Sequence, residues 1–343
     1  MITVYKHGII LEKRETNFEC EGVLNPAVIK HNGEIHLFYR AVGKGNYSTI
    51  GYCTLNHPTE VGTRMDNPIL IPEHPYEKNG MEDPRIVLIN DEFMMTYTAY
   101  DGVNALGALI VSKDLKTFTK KGVIVPKLTY PNFSKLAESK KDINEKYLRY
   151  NEHWQSHGQL DTNFLLWDKN LIFFPEKING YFYFMHRIKP DILITKVKEL
   201  SDLTAAFWMD YFMHFQDCIM ISPKHTHEIS YVGGGCPPIK TRDGWLVIYH
   251  GVHDEIEGYI YSACAALFDI DNPHIEIARL PYPLFQPKEL WEIKGIVNNV
   301  CFPSGAILED STLYIYYGAA DERIGCASTN INELTEELLR YKI

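Results

Sequence analysis

The chain has 343 residues and a formal net charge of −10, with 44 Asp and Glu against 34 Lys and Arg. That balance excludes nucleic acid and an anionic membrane surface as main partners, and no apolar stretch reaches the roughly 18 residues a membrane helix requires. At 45% hydrophobic and 13% aromatic residues, the composition is that of a soluble globular protein that leans toward β structure.

The start, MITVYKHGII, lacks an apolar region followed by a small-residue cleavage site. Seven cysteines stand singly, without a C-x-x-C pair, several of them in strand-like runs such as YSACAAL around Cys264. They read as buried free thiols in a reducing cytoplasm, with the periplasm left open.

Along the chain one phrase recurs five times. A proline is followed by an aliphatic residue, a Gly/Asn/Asp turn, and an aromatic-rich run. It reads NPAVIKHNGEIHLFYRA from Asn25, DPRIVLINDEFMMTYTAYD from Asp83, and FPEKINGYFYFMHRI from Phe174. It returns as CPPIKTRDGWLVIYHGV from Cys236 and FPSGAILEDSTLYIYYGAAD from Phe302. Each copy is a β-hairpin signal, two apolar runs joined by residues that tolerate positive φ. The prolines recur about every 60 residues, with one gap of about 90. A unit of that length made of strand and turn is one four-stranded propeller blade. The expectation is an all-β fold, a five-bladed β-propeller forming a single domain over residues 1–343. A β-sandwich is the alternative, but it gives no reason for the same phrase to return five times.

The long gap holds one helical insertion, residues 131–166, polar and without strand alternation (SKLAESKKDINEKYLRY). It is expected near the active-site face, where a long ordered loop shapes a pocket.

Charges stand at the ends of the repeats. Arg40, Asp101, Arg187, His250 and Asp321 close the five hairpins, and Glu82, Asp83, Arg85, Lys169 and Asn170 flank their first strands. Placed as equivalents, the closing residues form a ring of mixed sign at one end of the axis, a polar pocket for a hydroxyl-rich or anionic ligand. Ion pairing between neighbouring blades is the structural alternative. The run Gly233-Gly234-Gly235 lacks P-loop spacing and reads as close backbone packing near the axis. The pairs His225/His227 and His153/His157 lack a third ligand at fixed spacing, so no metal is expected.

These phrases, with GMEDPRI, DKNLIFFPEKING and ARLPYPLFQP, resemble glycoside hydrolase family 130, five-bladed propellers that cleave β-mannosides by phosphorolysis or hydrolysis. The resemblance runs from about residue 20 to the end, apart from the insertion. It implies that Asp83 is the general acid, passing its proton through a mannose hydroxyl, with Asn25, Arg40 and Asp321 as mannose contacts and inversion at the anomeric carbon. Glu82 beside Asp83 is expected to hold the acid protonated by like-charge repulsion and burial. Glu82, Arg85, Asp101 and His250 complete the expected sugar pocket.

The same resemblance gives Lys169 and Arg187, with Asn170 beside them, as the grip for phosphate or water. The third cation of family phosphorylases, a Lys before the glycine run, stands here as Tyr231. Two cations hold phosphate less well than three, and a carboxylate nearby could activate water instead. Glu228 is the first candidate for that base, then Glu255 and Glu257. The expectation is therefore inverting hydrolysis of β-linked manno-oligosaccharides to mannose, as in β-1,2-mannosidases. Phosphorolysis to mannose 1-phosphate, with β-1,2 or β-1,4 linkage, is the alternative, and an inactive carbohydrate-binding propeller is a third reading. No cofactor is expected beyond inorganic phosphate as co-substrate of a phosphorylase, and a homo-oligomer stays open.

Overall fold

The computed structural model describes residues 2–138, 144–147, 164–256 and 258–343. The expected turns form the hairpins. Asn32-Gly33 (φ 50° and 83°), Asn90-Asp91 (50° and 60°) and Asn179-Gly180 (51° and 84°) take the left-handed conformation that tight two-residue hairpins need.

The strands group into five antiparallel meanders. Strand β1 (Tyr5–Leu11) comes first, then a meander of β2 (Gly22–His31), β3 (Glu34–Gly43), β4 (Tyr47–His57) and β5 (Glu60–Arg64). The second contains β6 (Gly80–Ile89), β7 (Glu92–Tyr100), β8 (Ala105–Ser112) and β9 (Phe118–Val123). The third contains β10 (Lys169–Phe173), β11 (Phe182–Ile188), β12 (Asp191–Val197) and β13 (Ile219–Ile221). In the fourth, β14 (Tyr231–Gly234) and β15 (Ile239–Thr241) both pair with β16 (Gly244–Glu255), followed by β17 (Gly258–Phe268) and β18 (Glu276–Arg279). The fifth has β19 (Cys301–Glu309), β20 (Thr312–Ala319) and β21 (Arg323–Asn330), and β1 pairs with β21 as its outer strand. The two ends of the described chain thus share one sheet. Among the described residues no helix is long and apolar enough to cross a membrane.

Each apolar core lies between successive meanders. Phe38, Ile86 and Met95 pack between the first and second, and Leu109, Leu171 and Phe184 between the second and third. Met185, Val232 and Trp245 fill the next interval, Leu246, Ile315 and Tyr317 the one after. Leu37, Ile307 and Tyr316 join the fifth meander to the first. Strand β2 contacts both β6 and β19, and β10 contacts both β6 and β14.

The first strands carry the feature that builds the site. Register slips between Leu24 and Ala27, Glu82 and Arg85, and Lys169 and Ile172. At these bulges Asn25, Asp83 and Asn170 have φ of 49°, 52° and 52°. A bulge re-aims a side chain out of the strand alternation, and Asn and Asp tolerate this conformation better than other residues with a β-carbon. Glycines opposite make room. A β-carbon on Gly318 would lie 1.9 Å from Asn25 Oδ1, and one on Gly233 would lie 2.3 Å from His250 Nε2 and 2.8 Å from Asn170 Oδ1. The glycine run therefore serves close packing, as its sequence suggests.

Candidate active site

The bulged residues open onto a 220 Å³ cavity. Its lining includes Asn25, Arg40, Asp83 and Asp321 on the first, second and fifth meanders, and Lys169, Asn170, Arg187, Lys189 and Tyr231 on the third and fourth. Trp167, Tyr261, Val297, Val300 and Phe302 complete the wall.

Asn25 Nδ2 donates to Asp83 Oδ1 at 2.8 Å. Arg40 reaches Glu82 at 3.0 Å and Asp83 at 3.7 Å, and its Nε donates to Ser48 Oγ at 2.9 Å. Lys169 Nζ lies 3.4 Å from the other Glu82 oxygen. Glu82 thus bridges two cations instead of facing Asp83 as an unpaired like charge. Burial works to raise the Asp83 pKa, but Arg40, Lys169, Arg85 and the Asn25 donor outweigh it and hold this carboxyl below its ordinary range. The expectation that Glu82 keeps Asp83 protonated fails for the free protein. Asp321 carries the raised pKa, about 6, through burial reinforced by Asp83 and Glu82 against Arg40 and Lys169.

On the opposite wall Arg187 lies 3.5 Å from His250 Nε2 and its guanidinium 5.5 Å from the centre of the Tyr231 ring. The Tyr231 and Tyr261 hydroxyls share a 2.5 Å hydrogen bond. Lys189 and Lys169 rest over the rings of Tyr231 and Trp167, at 3.8 and 5.0 Å. Burial, then Arg187, Arg85 and Lys189, push the His250 pKa well below its ordinary value, so its ring is neutral.

Arg85 and His250 lie beneath this lining. Arg85 donates to the carbonyls of Asp83 (3.0 Å), Pro84 (2.9 Å) and Gly235, and it stands 5.5 Å from the Phe302 ring. It braces the Asp83 bulge. Asp101 is not in the cavity. Its carboxylate caps its own turn, accepting from Val103 N at 2.8 Å and from Asn104 N at 2.7 Å. In the register Asp101 is not the counterpart of Arg40, Arg187 and His250. Arg40, Arg187 and His250 pair with Leu24, Lys169 and Gly233, and the matching position in the second meander is Thr98, opposite Glu82. Asp101 and Asp321 stand three residues further on, and only Asp321 reaches the cavity.

Glu228 is likewise removed from the cavity. Its carboxylate is fully buried and accepts from the amides of Lys224 (2.9 Å) and His225 (3.0 Å), from Tyr249 (2.8 Å) and from Arg279 (3.1 Å). The device repeats around the fold. Glu77 meets Tyr97 and Lys120, Glu292 meets Tyr317 and Lys6, and Glu19 meets Tyr39 and Arg64. A carboxylate so buried and engaged brackets a loop to its meander and stands outside the cavity where a water would have to attack. Glu255 is exposed beside His253, and Glu257 lies outside the described residues. Lys189, Tyr261 and Trp167 also line the cavity, although none of them stands at a position marked by the repeated phrases. The only trace of Lys189 is its place two residues after Arg187, at the β11–β12 turn.

The comparisons with known proteins bear on this geometry. Residues 7–166 and 149–339 match a family model described as beta-1,4-mannooligosaccharide phosphorylase. The chain belongs to glycoside hydrolase family 130. It is an enzyme of the family's β-mannoside-cleaving class, with phosphate as the co-substrate of its phosphorylases. A 1,2-beta-oligomannan phosphorylase of Thermoanaerobacter sp. (strain X514) is 32% identical over 338 residues, covering 95% of this chain and 96% of its own. A beta-1,2-mannobiose phosphorylase of the same organism is 33% identical over 331 residues, 92% of each chain. The structure of a beta-1,2-mannobiose phosphorylase from Listeria innocua superposes with a TM-score of 0.72 over 98% of this chain and 99% of that one, at 23% identity.

Proposed function

We propose that this family 130 enzyme phosphorolyses β-1,2-linked manno-oligosaccharides, yielding mannose 1-phosphate and a chain one mannose shorter. The expectation of hydrolysis gives way to its alternative. The observation that carries this reading is the division of the cavity. Its only carboxylates among the described residues are Asp83 and Asp321, beside Arg40 and Asn25, while the wall around Arg187, Lys189 and Tyr231 carries positive charge and no described carboxylate; Lys169 joins the two sides through its 3.4 Å contact with Glu82. Such a wall attracts an oxyanion and, among the described residues, offers no carboxylate to deprotonate water. The relatives named above, matched over nine-tenths of their length, support phosphate and the β-1,2 linkage.

In this reading Asn25, Arg40 and Asp321 seat the terminal mannose, and Lys169, Asn170 and Arg187 receive phosphate beneath its anomeric carbon. A phosphate oxygen attacks that carbon as the glycosidic C–O bond breaks. Asp83 supplies the proton that the leaving oxygen takes up, and the proton released from the bound phosphate restores it. Lys169 reaches both walls, through Glu82 on one side and the anion on the other. A phosphate dianion offsets its charge, weakens one of the interactions that keep Asp83 ionised, and so lets the acid take up its proton.

The five meanders, with cores between all successive pairs, support a five-bladed propeller formed as a single domain over residues 1–343, with 131–166 inserted between two blades. All seven cysteines are unpaired, in keeping with the cytoplasm. The test is incubation with β-1,2-mannobiose and β-1,2-mannotriose, with and without phosphate. Mannose 1-phosphate should form only with phosphate, and free mannose accumulating at the same rate without it would sink the proposal.

A further inference from the structure

Two cations are few for a phosphate dianion, and the sequence places Tyr231 where a third is expected. The β11–β12 turn changes that count. It carries Lys189 into the same cavity, two residues beyond Arg187. The Lys189 ammonium lies 3.8 Å from the centre of the Tyr231 ring, and the Arg187 guanidinium lies 5.5 Å from that centre. From this placement we infer that Lys189 is the third phosphate-binding cation and Tyr231 its seat, so that this pair replaces the single lysine missing from the fourth meander. The inference depends on the phosphorolytic reading and names a specificity-determining residue for it.

The physical case starts from cost. Three cations in one small cavity repel each other, and burial followed by Arg187 and Lys169 drives the Lys189 pKa well down. An aromatic face under a cation offsets part of that cost, and Tyr231 offers its ring to two of the three. What remains is removed by a ligand with more than one negative charge. A neutral water would leave the repulsion in place. Lysine acts here as a point charge at the end of a flexible stem, suited to one phosphate oxygen, while Arg187 presents a fork to two.

The experiment is Lys189→Gln, assayed with phosphate varied at saturating β-1,2-mannobiose and then with the sugar varied at saturating phosphate. Loss of one charge-assisted contact should raise the phosphate KM roughly ten- to a hundredfold, with the mannobiose KM within about twofold. In the synthetic direction the KM for mannose 1-phosphate should rise as well. Lys189→Arg should recover most of the loss, and it carries the test should the glutamine variant not fold. As an activity-free readout, added phosphate should raise the wild-type melting temperature more than that of Lys189→Gln. An unchanged phosphate KM, or a mannobiose KM rising in step with it, overturns the role of Lys189 and leaves phosphorolysis standing. Wild-type protein that releases free mannose equally well without phosphate overturns both.

Discussion

Replacing Glu228 by Gln separates a structural carboxylate from a catalytic one. The substitution keeps the shape but turns an acceptor into a donor facing the Lys224 and His225 amides or Arg279, all of which now donate to it. Removing one partner of a buried ion pair costs about 3–5 kcal/mol, because the other charge stays buried. Unfolding entropy of about 2.1 cal/mol/K per residue gives a chain of this length about 0.7 kcal/mol/K. The melting temperature should therefore fall by about 4–7 °C. Scanning calorimetry reads that directly, and kcat measured well below the transition should stay within about twofold of wild type. Glu292→Gln is the internal control, since Glu292 accepts from the Lys288 and Glu289 amides and from Tyr317 in the same way, and it should lose a similar amount. A Glu228→Gln protein with unchanged stability and turnover reduced a hundredfold would refute the structural assignment and restore this residue as a base.

Asp83→Asn should lower kcat by roughly a hundredfold or more, the usual scale of general acid catalysis; titration calorimetry should still detect mannobiose, and near-normal turnover would remove Asp83 from the mechanism. Asp321, with its pKa raised to about 6 in the fold, contributes stability that is full below about pH 4 and lost as pH rises to about 6. Asp321→Asn should remove that slope between pH 4 and 6, stabilise the free protein at pH 7 by up to about 3 kcal/mol, and weaken sugar binding; melting curves against pH decide it. Tyr147, from the insertion, donates to the buried Asp191 carboxylate at the turn that carries Lys189. Tyr147→Phe should raise the phosphate KM several-fold and leave the mannobiose KM unchanged, whereas a parallel rise in both would make the contact a general structural one.

The repeat was legible because each hairpin has a local signature. Proline, an Asn/Gly/Asp turn and an aromatic run are visible without any knowledge of distant contacts, and the turns at Asn32-Gly33 and Asn179-Gly180 formed as written. What misled was counting positions from the end of each phrase. Asp101 and Arg40 both close a hairpin, yet in the pairing register the counterpart of Arg40 is Thr98, and Asp101, at the same offset as Asp321, turns to cap its own loop instead of entering the cavity. Glu228 misled for a related reason. A glutamate near a glycine run looks available until the Tyr249 and Arg279 that engage it are known, and these lie 21 and 51 residues away. Lys189 was hidden in the same way, because its neighbour Tyr231 comes from another meander. Of the 131–166 stretch, the described part shows a helix at Tyr130–Glu138 whose Phe133 packs on Phe212 and Phe215.

Under the phosphorolytic reading, the order of charges around the cavity also accounts for a proposed general acid, Asp83, being held ionised in the empty protein. Asp83 sits in a left-handed bulge, braced by Arg85 through two main-chain carbonyls and tied to Asn25, so its position is fixed before any ligand arrives. Its protonation is not fixed in the same way, because Lys169, one of the cations that hold its pKa down, is also a cation that phosphate would engage. A bound sugar excludes water and strengthens the burial that favours the neutral acid, and a phosphate dianion cancels part of the opposing positive field. Both changes act in the same direction, so under this reading Asp83 is expected to become competent when mannoside and phosphate are present together. Water brings no charge to offset the mutual repulsion of Lys169, Arg187 and Lys189. The arrangement that raises the cost of the empty cavity is therefore also the one that discriminates phosphate from water, without any group that must recognise water and reject it.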